Sequence, residues 1–497
     1  MEIVFSTLID LVTSPSNMGL IVLAIPIGMF FGAVPGLGGK LGIALLIPFI
    51  FGMDMIPGAV FLLAMHSVVH TGGSIPSILF GVPGTGPDAA TIVDGLPMTQ
   101  KGQAGRALGA SLGASGMGGV VGAIVLALLI PVLEPVVLSF SPAEFFLLAI
   151  LGITFIALLS GDSLIKGIIV GLFGLMLAFV GMDPQVGIAR YSEEMLFLWD
   201  GVDVITAILA MFAVPEMIAL GVKGGAMSRL TKEAASYSFM EVIDGILDVF
   251  RHWWLALRTA IIGAVIGVIP GLGGDAASWI CYGHAVQSSK TPERFGKGAV
   301  EGVIAPETAN NSKEGGSLLP TLFFGVPGSS GMAILMGAFI ILGIQPGPML
   351  IMTNLELVWT LIWALVIANL LAVVIFLAVA PWFGLLSFVR GGLLIPFVLI
   401  LAALGSYLSR GHWENLVVVV VLGFVGYGLK RFKWPRPPFV IGLVLGPIAE
   451  ESLHKAMALW GPAFLLRPIS LILLAIIFST VAFTTYRFFT RKPNNGA

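Results

Sequence analysis

Cysteine is nearly absent from this chain: Cys281 is the only one. An intrachain disulfide is therefore excluded, and a thiolate metal site lacks its ligand set. Charge is scarce as well. Lys, Arg, Asp and Glu make up 10% of the 497 residues, against a hydrophobic share of 57%. Soluble globular chains carry roughly 25% charged residues. The few charges nearly balance, at a formal net charge of −2, which gives no signal for nucleic acid. No Gly-Lys-Ser/Thr follows the glycine-rich stretches in the frame that a phosphate-binding loop needs. An intramembrane enzyme would need a nucleophile with its base, and the sequence offers no such pair. An aspartyl protease fits poorly too, because Asp275 has Lys40 rather than an acid at its matching position. The opening MEIVFSTLIDLVTSP has no positive segment, so it does not read as a cleavable signal peptide. It reads as an amphipathic or interfacial stretch before the first span.

What the chain does have is apolar length. Its mean hydropathy is +1.02, and its apolar runs are continuous rather than alternating, which favours helices over a barrel. The expected fold is an all-α polytopic membrane protein with about ten to twelve transmembrane helices. Clear spans include Met18–Val34, Ala107–Val132 and Val358–Phe383. Shorter pieces such as Ala59–His70, Ile75–Val82, Leu318–Val326 and Met332–Leu342 fall short of a hydrocarbon core of about 30 Å. They read as broken helices and re-entrant hairpins, allowed only where protein or a water cavity covers the backbone.

The most informative pattern is a duplication. Gly72–Thr85 reads GGSIPSILFGVPGT and Gly315–Ser329 reads GGSLLPTLFFGVPGS. Each follows an earlier matched element, AVPGLGGK at Ala33–Lys40 and VIPGLGGD at Val268–Asp275. Paired Gly/Pro-broken apolar segments, one in each half, point to a transporter binding site. The entries also match, MEIVFSTLIDLV at Met1 and MEVIDGILDVF at Met240. The expected organisation is a first repeat over 1–222 with a tip near 72–86, a cytoplasmic linker over 223–255, and a second repeat over 256–497 with a tip near 315–330.

Basic residues set the orientation. Lys223, Arg229, Lys232, Arg251 and Arg258 mark the middle loop, and Lys430, Arg431, Lys433 and Arg436 mark another. Arg487, Arg491 and Lys492 mark the tail. These belong on the cytoplasmic side, while the first fifteen residues, without Lys or Arg, belong outside. The repeats are then inverted, with the N-terminus periplasmic and the C-terminus cytoplasmic.

Each Gly-Val-Pro-Gly should end a half-helix and turn the chain, with Thr85 or Ser329 available to cap the next one. Backbone N–H groups at such starts suit carboxylates. Candidate substrate contacts are Gly84, Thr85, Gly86, Gly328, Ser329 and Ser330 at the tips, with hydroxyls from Ser74 and Ser317. Asn310, Asn311 and Lys313 add polar contacts, and His70 matches Lys313 across the repeats. A coupling ion would sit on carbonyls at Gly36, Gly38, Gly271 and Gly273, helped by Asp88 or Glu307. If that ion is H⁺, Glu307 is the better candidate as a buried carboxyl. No cofactor is expected beyond Na⁺ or H⁺. His66 and His70 are spaced for zinc, but no third ligand is evident and their role stays open. Asp88 and Asp94 could equally be helix caps.

At these residues the sequence resembles the large membrane subunit of the tripartite tricarboxylate transporters, the TctA family. The resemblance rests on VPGLGG, GGSIPSILFGVPGTGPDAATIVDGLPM, KGQAGRALGA, IPGLGG, APETANN, GGSLLPTLFFGVPGSSGMAILMGAF and GIQPGP, in order along nearly the whole chain. It implies a secondary active carrier of carboxylates in a bacterial inner membrane, driven by an ion gradient. It also implies a small membrane subunit (TctB-like) and a periplasmic solute-binding protein (TctC-like). His66, His70 and Lys313-Glu314 depart from the aromatic or small residues usual in such proteins.

The expected function is uptake of a di- or tricarboxylate, citrate-like, by an elevator-like or rocking motion of one bundle against a scaffold. A homodimer of the membrane complex is left open. A carboxylate channel or facilitator is the alternative, as is a carrier for a different small organic anion. A channel would need a continuous polar pore, whereas matched closed tips favour an occluded site. A carrier of neutral or cationic solutes would need acidic tips, and these are rich in N–H and hydroxyl groups.

Overall fold

The structure is a computed structural model that describes residues 2–34, 37–159, 164–183, 187–192, 195–223, 237–270, 273–386 and 391–490. It is helical almost throughout. The only strands among the described residues are the antiparallel pair Gly181–Met182 and Ala189–Arg190.

The first half opens with α1 (Glu2–Thr13), α2 (Pro15–Ala33), α3 (Gly38–Ile50), α4 (Met55–Phe80), α5 (Ala89–Gln100) and α6 (Ala104–Leu138). It continues with α7 (Pro142–Leu159), α8 (Leu164–Ala178), α9 (Val204–Ile208), a π-helical turn over Leu209–Ala213, and α10 (Val214–Lys223). The second half runs α11 (Phe239–Arg251), α12 (Trp253–Val268), α13 (Gly273–Ser288), α14 (Glu301–Phe324), α15 (Ser330–Ile341) and α16 (Pro348–Thr353). It closes with α17 (Leu355–Leu386), α18 (Gly391–Arg410), α19 (Glu414–Arg431), α20 (Pro437–Trp460) and α21 (Pro468–Thr490).

Among the described residues, five helices are long and apolar enough to cross a membrane, or seven if two bent pairs each count as one span. The bends are 77° between α11 and α12 and 69° between the segments 437–466 and 468–482. The expected ten to twelve is reached only if the five shorter apolar helices cross as well.

The repeat shows in the pairings. α2 packs on α4 as α12 packs on α14; α1 lies on α17 as its match α11 lies on α6. Such exchange is what a two-fold relation between halves produces. The segment expected as a linker over 223–255 therefore contains α11, a packed helix; its residues 224–236 lie outside the described ones.

α4 and α14 form the centre. The sequence reading split α4 at Gly72-Gly73, but the structure runs one helix of 26 residues through both glycines and Pro76. The glycines serve contact instead of a break. A Cβ built at Gly72 would lie 2.3 Å from the Met29 carbonyl oxygen, and one at Gly32 only 1.8 Å from that of Val69. The second repeat does the same. Cβ atoms at Gly267 and Gly316 would lie 2.3 and 2.0 Å from the carbonyl oxygens of Lys313 and Ala264. Gly28 and Gly32, like Gly263 and Gly267, are thus small-xxx-small pairs that bring backbone onto backbone. The true breaks come at Gly81 and Gly325, with φ of 65° and 64°, left-handed caps that end α4 and α14.

Gly32→Val and Gly267→Val should therefore destabilise the fold by more than the ~1–3 kcal/mol of ordinary overpacking, because the atoms met are main chain. Gly19, which meets nothing within 4 Å, is the control. Thermal unfolding of purified protein in detergent checks this: both valine variants should melt well below Gly19→Ala.

Candidate anion site between the repeats

A cavity of about 330 Å³ lies where the two halves meet. That size suits a small organic ligand. Its wall takes Gly84, Thr85, Gly86 and Pro87 from the first tip and Ser329, Ser330 and Gly331 from the second. Gly38, Gly39 and Lys40 come from the start of α3, and Gly273 and Gly274 from the start of α13. His66, His70 and Lys313 come from the central helices.

Three helices thus begin at this cavity. The first N–H groups of a helix have no partner inside it, and the macrodipole adds partial positive charge. Ser329 caps α15, its hydroxyl accepting from Met332 N–H at 3.2 Å. Gly38 and Gly273 take φ of 67° and 64° as the chain turns into α3 and α13. Lys40, Lys313 and Arg436 add three fixed cations, against the single wall carboxylate of Glu216. Arg436 donates to Glu216 Oε1 at 2.7 Å and to the Met211 carbonyl at 3.1 Å. The donor set is that of an anion site.

A polar ring holds the first tip. Thr85 donates its backbone N–H and its hydroxyl to Asp88 Oδ2 at 2.8 and 2.6 Å. Asn310 Nδ2 donates to Asp88 Oδ1 at 3.0 Å, which ties the tip to α14. With the Thr85 proton directed at Asp88, His70 Nδ1–H donates to Thr85 Oγ1 at 3.0 Å. His70 Nε2 then faces Glu314 Oε1 at 3.1 Å and Lys313 Nζ at 3.3 Å. Lys313 and Glu314 are themselves in direct contact, both buried. A buried pair of this kind is tolerable only when its remaining donors and acceptors are also met.

Of the residues expected at the site, Gly84, Thr85, Gly86, Lys313, Ser329 and Ser330 line the cavity. The others stand behind it. Ser74 donates to the Thr71 carbonyl and accepts from Ser111; Ser317 donates to the Gly267 carbonyl. The Gly328 N–H goes to Thr321 Oγ1, and Asn311 Nδ2 to Thr71 and Asn369. Asn310 and Asp88 brace the tip rather than face the cavity. The sequence reading capped both tips alike, but Thr85 is bonded to Asp88 and α5 starts later, at Ala89. Asp94 accepts from Gly298 N–H, Ala299 N–H and the Tyr282 hydroxyl, joining the halves.

The expected coupling-ion set divides. Gly36 and Gly271 lie outside the described residues. Gly38 and Gly273 reach the cavity, but as helix starts they offer N–H donors, not carbonyl ends. Glu307 is buried away from the cavity and accepts from Thr91 Oγ1 at 2.5 Å. Among the described residues, no group of three His, Cys, Asp or Glu is placed to hold a metal ion. Sequence reasoning missed Lys40, Glu216 and Arg436. Glu216, a lone acid in an apolar span, carried a signal; Arg436 was hidden in a basic loop.

Asp88→Ala leaves the Thr85 N–H and the Asn310 amide without their partner, at ~1–3 kcal/mol for each buried group. Ser329→Ala removes one cap, about 1 kcal/mol. Thermal unfolding should rank Asp88→Ala clearly below Ser329→Ala; the reverse order would mean that the carboxylate does not hold the turn.

Comparisons with known proteins identify the family. The sequence model of the tripartite tricarboxylate transporter TctA family matches residues 18–441. An uncharacterized 52.8 kDa protein in the TAR-I ttuC' 3' region of Agrobacterium vitis is 32% identical over 467 residues, covering 93% of this chain and 92% of that protein. An uncharacterized protein in the TAR-II ttuC' 3' region of the same organism is 37% identical over 218 residues, 43% of this chain and 90% of that protein. No solved structure matches. With that family match over most of its length and a relative aligned nearly end to end, the chain belongs to the tripartite tricarboxylate transporter TctA family.

Proposed function

We propose that this chain is the carrier subunit for uptake of di- or tricarboxylates across a bacterial inner membrane, driven by a Na⁺ or H⁺ gradient. The observation that carries the reading is the cavity at the repeat junction, where three helix starts and Lys40, Lys313 and Arg436 converge on one space. Several N–H donors with fixed cations are what a ligand with more than one carboxylate requires. Carboxylate uptake calls for the small membrane subunit and the periplasmic binding protein usual in this family. A homodimer of that membrane complex is compatible with the reading.

The repeats are inverted, with the axis in the membrane plane, the N-terminus periplasmic and the C-terminus cytoplasmic. The reciprocal pairing of α1 with α17 and α11 with α6 supports the two-fold relation, and the basic loops support the direction. Transport moves the bundle that holds both tips against a scaffold, so that one site meets each side in turn.

The test is uptake into proteoliposomes holding the chain and its small subunit, with labelled succinate, malate and citrate. Uptake should require an imposed Na⁺ or H⁺ gradient and the binding protein; flux without a gradient would indicate a facilitator. Thr85→Trp and Ser329→Trp should abolish uptake in folded protein. Lys40→Gln, at an exposed wall position, should raise the half-saturating concentration by roughly tenfold, equal to about 1.4 kcal/mol of lost attraction. Unchanged uptake in all three variants would remove this cavity from the pathway.

A further inference from the structure

His66 is a cavity-wall residue that the anion site above does not use. It sits on α4, 4% exposed, with its ring between the starts of α3 and α15. A Cβ built at Gly39 would lie 3.1 Å from Nδ1, and one at Gly331 would lie 2.7 Å from Nε2. Neither ring nitrogen makes a hydrogen bond. Across from Nε2, at 3.5 Å, is Glu314 Oε2, which also makes none. The other Glu314 oxygen is engaged by Lys313 and His70. Two buried polar atoms that face each other beside a ligand cavity without a hydrogen bond depart from the ordinary rule that buried polar groups are bonded. A proton on Nε2 would mend both at once, as an N–H donating to Oε2.

We propose that His66, set against Glu314, takes up the proton that accompanies each anion into the site; this rests on the carrier reading above. The charged and titratable groups around the ring are Lys40 from α3, His70 on α4, and Lys313 and Glu314 from α14; α15 presents Gly331. In the empty cavity a cationic His66 would face Lys40 and Lys313 with Glu314 alone in its favour. A carboxylate entering the cavity adds negative charge beside the ring and tips that balance. Anion and proton then favour each other's binding, and by linkage the effect is reciprocal. The proton comes from water on the loading side, forms the Nε2–H bond, and returns to water on the release side once the anion has left. No other bond changes. A transition-metal cation is a poor substitute at His66, because Lys40 and Lys313 repel it and no group of three His, Cys, Asp or Glu is gathered among the described residues.

Titration calorimetry on the full chain in lipid nanodiscs tests this with succinate, malate and citrate, in buffers of different ionisation heat. Wild type should take up about one proton per anion bound near neutral pH, and over that same range its apparent affinity should weaken toward tenfold per unit rise in pH. His66→Asn should take up almost none and lose that pH dependence. In wild-type protein labelled at histidine, the His66 imidazole resonance, identified as the one that persists when each of the other five histidines is substituted in turn, should shift to its protonated position on adding succinate. That arm reads the proton even if the variant fails to fold. Anion binding without proton uptake, uptake unchanged in His66→Asn, or an unmoved His66 resonance each overturns the proposal and leaves the carrier reading intact. No binding of any of the three anions overturns both.

Discussion

The structure depends on covering two polar helices with backbone. α4 buries His66, Ser67, His70, Thr71, Ser74 and Ser77, and α14 buries an unbroken polar run from Asn310 to Glu314. In a chain that is 10% charged, these groups cannot face lipid, where each unpaired polar atom is expensive. Glycine is the means of covering them. Gly28, Gly32, Gly263 and Gly267 let α2 and α12 ride on the carbonyls of α4 and α14, and Gly118 and Gly122 do the same for α6 against Thr308 and Ser312. Without that approach the central helices would part, and the polar atoms would lose the dry, close surroundings in which their hydrogen bonds are strong.

From that packing the site follows. Because α4 and α14 lie together, Glu314 can reach His70, His70 can reach Thr85, and Asp88 can reach back to Asn310. The ring of contacts leaves α14 and returns to it, so the first tip is fixed by the second repeat's own central helix. The first half does not hold its tip alone. This explains why Asn310, expected to contact substrate, and Asp88, expected to help hold a coupling ion, instead brace the residues that line the cavity. The tip needs a carboxylate behind it to present Thr85 and the adjoining glycines forward.

Much of this was legible in the sequence, for a physical reason. A left-handed cap at Gly81 or Gly325 requires glycine and a following proline stops the helix, so Gly-Val-Pro-Gly marks both breaks correctly. Gly72-Gly73 misled because glycine within a helix has two uses, breaking and close contact, and only the neighbouring helix decides between them. Ser329 read correctly as a cap, and Thr85 did not: it donates its own N–H and hydroxyl to Asp88, and α5 starts only at Ala89. Lys40 and Arg436 escaped notice because their value lies in convergence from distant segments. A basic loop residue next to the Phe212 ring, at 5.4 Å, looks in sequence like any other orientation signal.

The electrostatics also constrain how such a site can move. An empty cavity walled by Lys40, Lys313 and Arg436 against Glu216 carries excess positive charge, and burying charge in a low-dielectric layer is costly. Loading a ligand with two or three carboxylates cancels that excess, so in the carrier reading the loaded bundle crosses more easily than the empty one. Part of the compensation is built in: Glu314 stands behind Lys313, and Glu216 is shared between Arg436 and Lys430. In the carrier reading, the wall is thus left cationic enough to attract an anion without being so charged that the empty site would be trapped on one side. A carrier must satisfy both demands with one set of residues, and here the two glutamates set the compromise.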